Sequence, residues 1–347
     1  MNDTRPILEV RDLTMRFERV KGVRRKVIGE VRAVDGVTFT LHEGETLALV
    51  GESGSGKTTT GRCLVRAIEP TGGSVMYDDD GIMVDVLRLP RPELNRIRQK
   101  IRMVFQDPFA SLNPRMTVEQ LVAEPLYINR VVSGRAEARA RVAELLEMVN
   151  LDPTLMGRYP HTFSGGQRQR IAIARALSLD PRVVIADEAV SALDVSIQAQ
   201  ILNLLKDLQR ERGLTYLFVA HDLAVVRYQS DRIAIMYLGR IVELSTRDEI
   251  FTRPLHPYTE LLLSSAPVPD PRIKRVYVEP IGEIPDPANR PSGCPFNTRC
   301  PHSQQICRDE RPELRQANID GDSHVVACHL WETLTLSQHR VQTSDES

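Results

Sequence analysis

Three short segments hold the residue types that phosphate chemistry needs. In Gly51-Glu52-Ser53-Gly54-Ser55-Gly56-Lys57-Thr58, spaced glycines let successive backbone N–H groups turn toward an anion with no Cβ in the way. The loop follows a short apolar run, Thr46–Val50, of the kind expected of a buried parallel strand. It opens a helix expected from Lys57 to Ile68, whose N-terminal partial positive charge adds to the attraction. In that setting Lys57 reaches the outer phosphates of a nucleotide and Thr58 offers its hydroxyl to Mg²⁺. A chance glycine turn would lack the strand before and the helix after. A second apolar run, Val183–Ala186, ends in Asp187-Glu188. The first carboxylate suits Mg²⁺, and the second suits orienting and polarising an attacking water. The plain alternative is a solvated strand end. Between these segments, Ser164-Gly165-Gly166-Gln167 fits a Ser-x-x-Gln capping box and so opens a second helix with an anion-attracting end.

The rest of the chain must position these groups. Ile7–Val10, Leu13–Phe17 and Ala33–Leu41 read as strands, with a basic insert (Lys21, Arg24, Arg25, Lys26) between them that reads as a solvated loop. Residues from about 107 to 178 read as helical. Ser133 is expected to cap a helix that buries Val142, Leu145, Leu146 and Val149. Ile197, Ile201, Leu204, Leu205 and Leu208 recur at helical spacing, and Thr215–Ala220 is another buried strand, ending at His221. Arg232–Tyr237 and Arg240–Leu244 form a hairpin around Leu238-Gly239. Proline density rises after about residue 250, which marks a boundary there, and the residues from Leu336 onward are expected to be disordered.

Composition bounds the function. Lys+Arg number 45 and Asp+Glu 46, which argues against a general nucleic-acid binder. No stretch approaches the roughly 20 apolar residues that span a bilayer, and Met1-Asn2-Asp3-Thr4-Arg5-Pro6 lacks the apolar core of a secretory signal. The chain is therefore expected in the cytoplasm, docked onto spanning subunits if it serves a membrane process.

Taken in order, the glycine loop, Phe163-Ser164-Gly165-Gly166-Gln167 and Asp187-Glu188 resemble the ATP-binding cassette superfamily. The resemblance implies an α/β fold: a P-loop NTPase, RecA-like core with an antiparallel β subdomain and a helical subdomain, plus a small C-terminal cysteine-containing domain. Its implied bounds are 1–250 for the cassette, 251–335 for the C-terminal domain and 336–347 for the tail. The resemblance also implies roles. Gly51, Ser53, Gly54, Ser55, Gly56, Lys57, Thr58 and Thr59 hold the ATP phosphates. Thr58, Gln106 and Asp187 serve Mg²⁺, with Gln106 as the Q-loop glutamine. Glu188 and His221 act with Lys57 and Gln106 in hydrolysis, and Phe17 stacks on adenine. Ser164, Gly165, Gly166 and Gln167 face the nucleotide of an opposite protomer, and Asp194 belongs to the D-loop, Ser191-Ala192-Leu193-Asp194. Two ATP molecules are then buried between two head-to-tail subunits. Phe163 stands where leucine is usual, Ala189-Val190 where Pro-Thr is common, and the insert after Phe17 is long; none of these removes a catalytic group. Glu188 and His221 speak against a regulatory module without turnover.

The segments Phe105–Pro114, Asp187–Ser196 and His256-Pro257-Tyr258-Thr259 narrow the resemblance to the ATPases of dipeptide and oligopeptide importers, in particular the F subunit. Implied partners are a second, related ATP-binding subunit, two membrane permeases and an extracytoplasmic substrate-binding protein, with no nucleic acid. The implied place is peripheral, on the cytoplasmic face of the cell membrane. Nickel, glutathione or another small cargo is the alternative, and a soluble non-transport cassette ATPase a more distant one. Ribosome-associated cassette proteins usually carry two cassettes and the DNA-associated kind a long coiled coil, and neither feature is present.

Cys294, Cys300, Cys307 and Cys328 crowd the last fifth of the chain, with gaps of five, six and twenty residues. This is not the tight spacing of a zinc ribbon, yet four thiolates brought together by loops can hold an iron–sulfur cluster. The resemblance implies a 4Fe–4S cluster. Zinc, with His324 or His329, and buried structural thiols remain the other readings.

Overall fold

The structure, a computed structural model, describes residues 5–21, 26–107, 111–265, 281–317 and 324–336. The strands are β1 (Pro6–Lys21), β2 (Lys26–His42), β3 (Thr46–Val50), β4 (Gly72–Asp79), β5 (Ile82–Asp85), β6 (Ile101–Val104), β7 (Val183–Asp187), β8 (Thr215–Ala220), β9 (Arg232–Tyr237), β10 (Arg240–Thr246), β11 (Arg315–Gln316) and β12 (Val325–Val326). The helices used below are α1 (Lys57–Leu64), α2 (Arg91–Lys100), α3 (Val118–Ile128), α4 (Arg135–Met148), α5 (Gly165–Leu177), α6 (Val195–Arg212), α7 (Leu223–Gln229), α8 (Arg247–Thr252), α9 (Pro257–Ser265) and α10 (Gln305–Asp309). They fall into two compact units, each discontinuous in sequence.

One unit gathers the start of the chain up to Leu8, Thr40–Thr46 and Met76–Val219. Its sheet is parallel: Ile101 of β6 faces Val183 of β7, and Val183 faces Thr215 of β8. β7 and β8 are buried at every position, as expected of strands covered on both faces, which is why both read as unbroken apolar runs. A helical bundle of α3, α4 and α5 joins them. Arginines of α5 tie the bundle together: Arg168 donates to Pro160 O (2.7 Å), Arg170 to Val149 O (2.7 Å) and Arg175 to Ser111 O (2.9 Å). α6 buries Ile201, Leu202, Leu204, Leu205 and Leu208, and Gly213 at φ 64 ends it.

The other unit gathers Glu9–Phe39, Leu47–Val75 and the residues from Ala220 onward. β3 lies parallel to β9, pairing Leu47 with Arg232. β9 and β10 form the expected hairpin, and both turn residues have positive φ, Leu238 at 42° and Gly239 at 79°. β10 then accepts a strand from the C-terminal region: Glu243 faces Val326, and Ala327 N–H donates to Val242 O (2.8 Å).

A buried carboxylate binds that region in place. Glu243 has 0% exposure. It accepts from Leu255 N–H (2.7 Å), His256 N–H (3.0 Å) and the Thr259 hydroxyl, and pairs with His324 Nε2 (2.7 Å). Beside it, His256 Nδ1 accepts from Tyr258 N–H (3.0 Å).

Several local expectations need correction. The first two strands are one, with Asp12 at φ 47 accommodating an irregularity. α1 ends at Leu64, short of Ile68, and Arg66 follows at φ 49. The 107–178 stretch is broken by 3₁₀ turns at Pro153–Gly157 and Pro160–Thr162, each opened by proline. Gly134, and not Ser133, caps α4; the Ser133 N–H (2.8 Å) and hydroxyl (2.9 Å) both donate to Glu137. Leu336 is buried at 7% exposure, while the tail after it lies outside the described residues. So do Arg24 and Arg25 of the basic insert, and Pro108–Ala110.

Burial pushes the pKa of His256 down from 6.5 to about 4. The unfolded chain therefore protonates His256 near pH 6.5 while the folded chain leaves it neutral until about pH 4. Its contribution to stability is whole above pH 6.5 and lost as pH falls through that window. Urea unfolding between pH 6.5 and 4 should lose about 3 kcal/mol to this group. His256→Asn, which keeps an acceptor for Tyr258 N–H, should flatten the slope.

Candidate functional site

The glycine loop is held by other backbone on two sides. A Cβ at Gly51 would lie 2.1 Å from Met236 O, and one at Gly56 (φ +102) 2.1 Å from Ala33 O. Ser55 O accepts from Gly239 N–H (2.8 Å), and Gly239 O accepts from Asp35 N–H (2.8 Å). The β9–β10 turn and the start of the Ala33–Leu41 run thus fix the loop's path. Lys57 is buried at 5% exposure; its ammonium donates to Gly51 O (2.7 Å), Glu52 O (2.9 Å) and Ser55 Oγ (3.4 Å). Ser53 and Gly54 are exposed at the tip, and Thr58 and Thr59 half-buried on α1.

Phe17, in the same unit, is 40% exposed, so this strand aromatic is not a core residue. His221 follows β8 and is exposed.

In the other unit, Asp187 ends β7 with its carboxylate buried, facing Val219 of β8. Glu188 leaves the strand in the left-handed region, φ 46, with its N–H on Val219 O (2.9 Å). A non-glycine residue held there marks a place where surroundings override local preference. Its carboxylate accepts from Gln106 Nε2 at 2.7 Å, so two predicted residues 82 positions apart meet. The Ser164 cap forms as expected: Gln167 N–H donates to Ser164 Oγ (3.3 Å) and Ser164 N–H to Gln167 Oε1 (3.0 Å). Ser164 is exposed, Gly165 half-exposed and Gly166 buried, while Phe163 packs inward at 6%. Asp194 caps α6 by position and is exposed with the rest of the Ser191–Asp194 turn apart from Leu193.

The four C-terminal cysteines line one small pocket with His256 and Phe296. Its volume is about 10 Å³, room for one water. Burial pushes the thiol of Cys294 up to about 12 and those of Cys300 and Cys328 up to about 11. Among the described residues no three His, Cys, Asp or Glu side chains are placed to hold a single metal ion. His324 is committed to Glu243, and His329 Nε2 to Glu310 O (2.9 Å).

Arg299, and the parts that Glu52 and Tyr258 play, escaped the sequence reading. Glu52, on the glycine loop, forms a two-point ion pair with Arg299 (Nη1–Oε2 2.7 Å, Nη2–Oε1 3.0 Å), and its N–H donates to the Tyr258 hydroxyl (2.8 Å). The one signal available was chemical: an acid on an anion-binding loop calls for a counter-charge.

The sequence model of the ABC transporter family matches residues 34–191, and that of the oligopeptide/dipeptide transporter C-terminal region matches residues 242–307. An oligopeptide transport ATP-binding protein of Bacillus subtilis, AppF, is 51% identical over 94% of this chain and 97% of its own length. The chain belongs to the ATP-binding cassette ATPases of the oligopeptide transport family. OppF of Salmonella typhimurium, also an oligopeptide transport ATP-binding protein, is 48% identical over 93% of this chain and 95% of its own length. The cassette MJ0796, in a dimeric post-hydrolysis state bound to ADP and Pi, superposes with a TM-score of 0.60 at 32% identity. The superposition covers 69% of this chain and 98% of that one. The P-loop NTPase fold expected from sequence is therefore present, and ATP binding and hydrolysis are the family's chemistry.

Gly56→Ala should displace the loop, since φ +102 and the Ala33 carbonyl both exclude a Cβ. A loss of about 2 kcal/mol or more in stability is expected, read as a lowered denaturant midpoint.

Proposed function

We propose that ATP hydrolysis by this chain powers uptake of di- or oligopeptides across the cytoplasmic membrane. The observation that carries the reading is the match of residues 242–307 to the oligopeptide/dipeptide transporter C-terminal region, on a chain 51% identical to a peptide-transport relative over nearly its whole length. Nickel, glutathione or another small cargo is the runner-up, because a binding protein and permeases choose the cargo.

In this reading Gly51–Thr59 cradles the triphosphate, and Lys57 supplies charge to its outer phosphates. Asp187 and Thr58 offer hard oxygens, the donor type that Mg²⁺ prefers, and Gln106 joins them. Glu188 orients and polarises the attacking water, held by the Gln106 amide at 2.7 Å, while His221 contacts the γ-phosphate. Phe17 stacks on adenine. Ser164, Gly165, Gly166 and Gln167, with Asp194, serve the nucleotide held by the facing subunit. The exposed Ser164 and half-exposed Gly165 at this end of α5 support this, since a helix N-terminus attracts an anion. The facing subunit is a second, related ATPase. Two permeases and an extracytoplasmic binding protein complete the importer, with this chain peripheral on the cytoplasmic face. Among the described residues no helix is long and apolar enough to cross a membrane. Tyr127 (46% exposed), Ile128 (72%) and Val131 (51%) present an apolar surface at the end of α3 that suits docking onto a spanning subunit.

The cysteine pocket fits a 4Fe–4S cluster in donor chemistry. Four thiols line one pocket, and thiolates are the donors that an iron–sulfur cluster takes. Cys294, Cys300, Cys307 and Cys328 would hold it, and it would supply cross-links to a short, proline-rich segment. Binding must expel protons from the buried thiols.

Glu188→Gln should bind ATP and lower turnover by about 10² or more; undiminished ATPase activity sinks the water-activating role. Deleting the gene in its host should abolish accumulation of a labelled tripeptide but not of a free amino acid. Unchanged tripeptide uptake would remove peptide as cargo. Anaerobic purification should give roughly four iron and four sulfide per chain; zinc, or no metal, ends the cluster reading.

A further inference from the structure

Glu52 is a carboxylate on the loop that must receive a polyanion. Left alone, it would oppose binding. Its carboxylate is instead gripped at two points by Arg299, at 2.7 and 3.0 Å. Arg299 is 4% exposed and comes from the turn between Cys294 and Cys300, 247 residues from Glu52. Its guanidinium is built in. It sits 5.8 Å from the Tyr237 ring centroid and 5.7 Å from that of Phe296, and Nη1 also reaches the Tyr237 hydroxyl (3.4 Å). Phe296 packs in turn on Tyr258 and Tyr237, both at 5.4 Å between centroids. Tyr258 closes the circuit by accepting the Glu52 N–H. Two independent contacts, one charged and one neutral, thus run from the C-terminal region to the second residue of the loop.

We infer that Arg299 is a positioning residue for the nucleotide: it cancels the charge of Glu52 and fixes the mouth of the phosphate loop. The inference rests on reading Gly51–Thr58 as the phosphate cradle. A guanidinium keeps its proton throughout the working pH range, so the cancelling charge is permanent. The cysteine segment then has a second duty besides its own packing. It carries the counter-charge that makes an acidic loop receptive to ATP, and Phe296, which lines the cysteine pocket, holds that charge in place.

The test is calorimetric titration of the full chain with MgATP. Arg299→Ala should weaken binding roughly tenfold, the effect expected of one uncompensated charge near a polyanion at an effective dielectric near 20. The loss should shrink at high salt. Arg299→Ala combined with Glu52→Gln should return affinity to within about twofold of wild type. A role in packing alone cannot give that rescue. Arg299→Lys, which keeps the charge without the fork, should fall between. A double variant as weak as Arg299→Ala, or an Arg299→Ala chain with wild-type affinity, overturns the inference. Lys57→Ala separates this from the underlying reading. If it abolishes binding while the rescue fails, only the inference falls; if it binds as wild type, the cradle reading fails and takes the inference with it.

Discussion

The phosphate loop leaves no space for a side chain where it meets its neighbours. Met236 O stands where a Cβ of Gly51 would be, and Ala33 O where one of Gly56 would be. Hydrogen bonds from Gly239 N–H to Ser55 O and from Asp35 N–H to Gly239 O close the clamp. The glycines therefore serve two ends at once: they turn N–H groups toward an anion and admit two other strands to the loop's back. The β9–β10 hairpin and β2 are needed at those positions because the loop is shaped against them.

Much of this architecture was legible because its signals are local. β3, β7 and β8 announce themselves as short unbroken apolar runs, since a strand covered on both faces has no polar side to show. The capping box at Ser164 and the Leu238-Gly239 turn are set by residues within four positions of each other. Where a local signal was ambiguous the reading slipped. Ser133 and Gly134 are both acceptable caps, and the backbone chose the glycine while Glu137 took the serine's donors.

The remaining features have no spacing to read. Glu52 and Arg299, or Glu243 and His324, are 247 and 81 residues apart, and each is an ordinary surface-type residue in sequence. Their meaning comes from burial, which removes water and makes a partner obligatory. The same holds for Gln106 and Glu188. Family resemblance brought out each alone, whereas their 2.7 Å contact is a property of the fold.

The last strands of the chain are only two residues long, yet their placement matters to the whole sheet. β12 covers the outer row of N–H and C=O groups on β10, and β11, half of it arginine, forms the new rim. Short, charged rims discourage a foreign strand from adding on. A chain cut after β10 would present a longer rim to any neighbour, in which Ile241, Val242 and Leu244 are apolar. The C-terminal residues thus act as a guard against self-association, which ties solubility of the ATPase to a segment far from its chemistry.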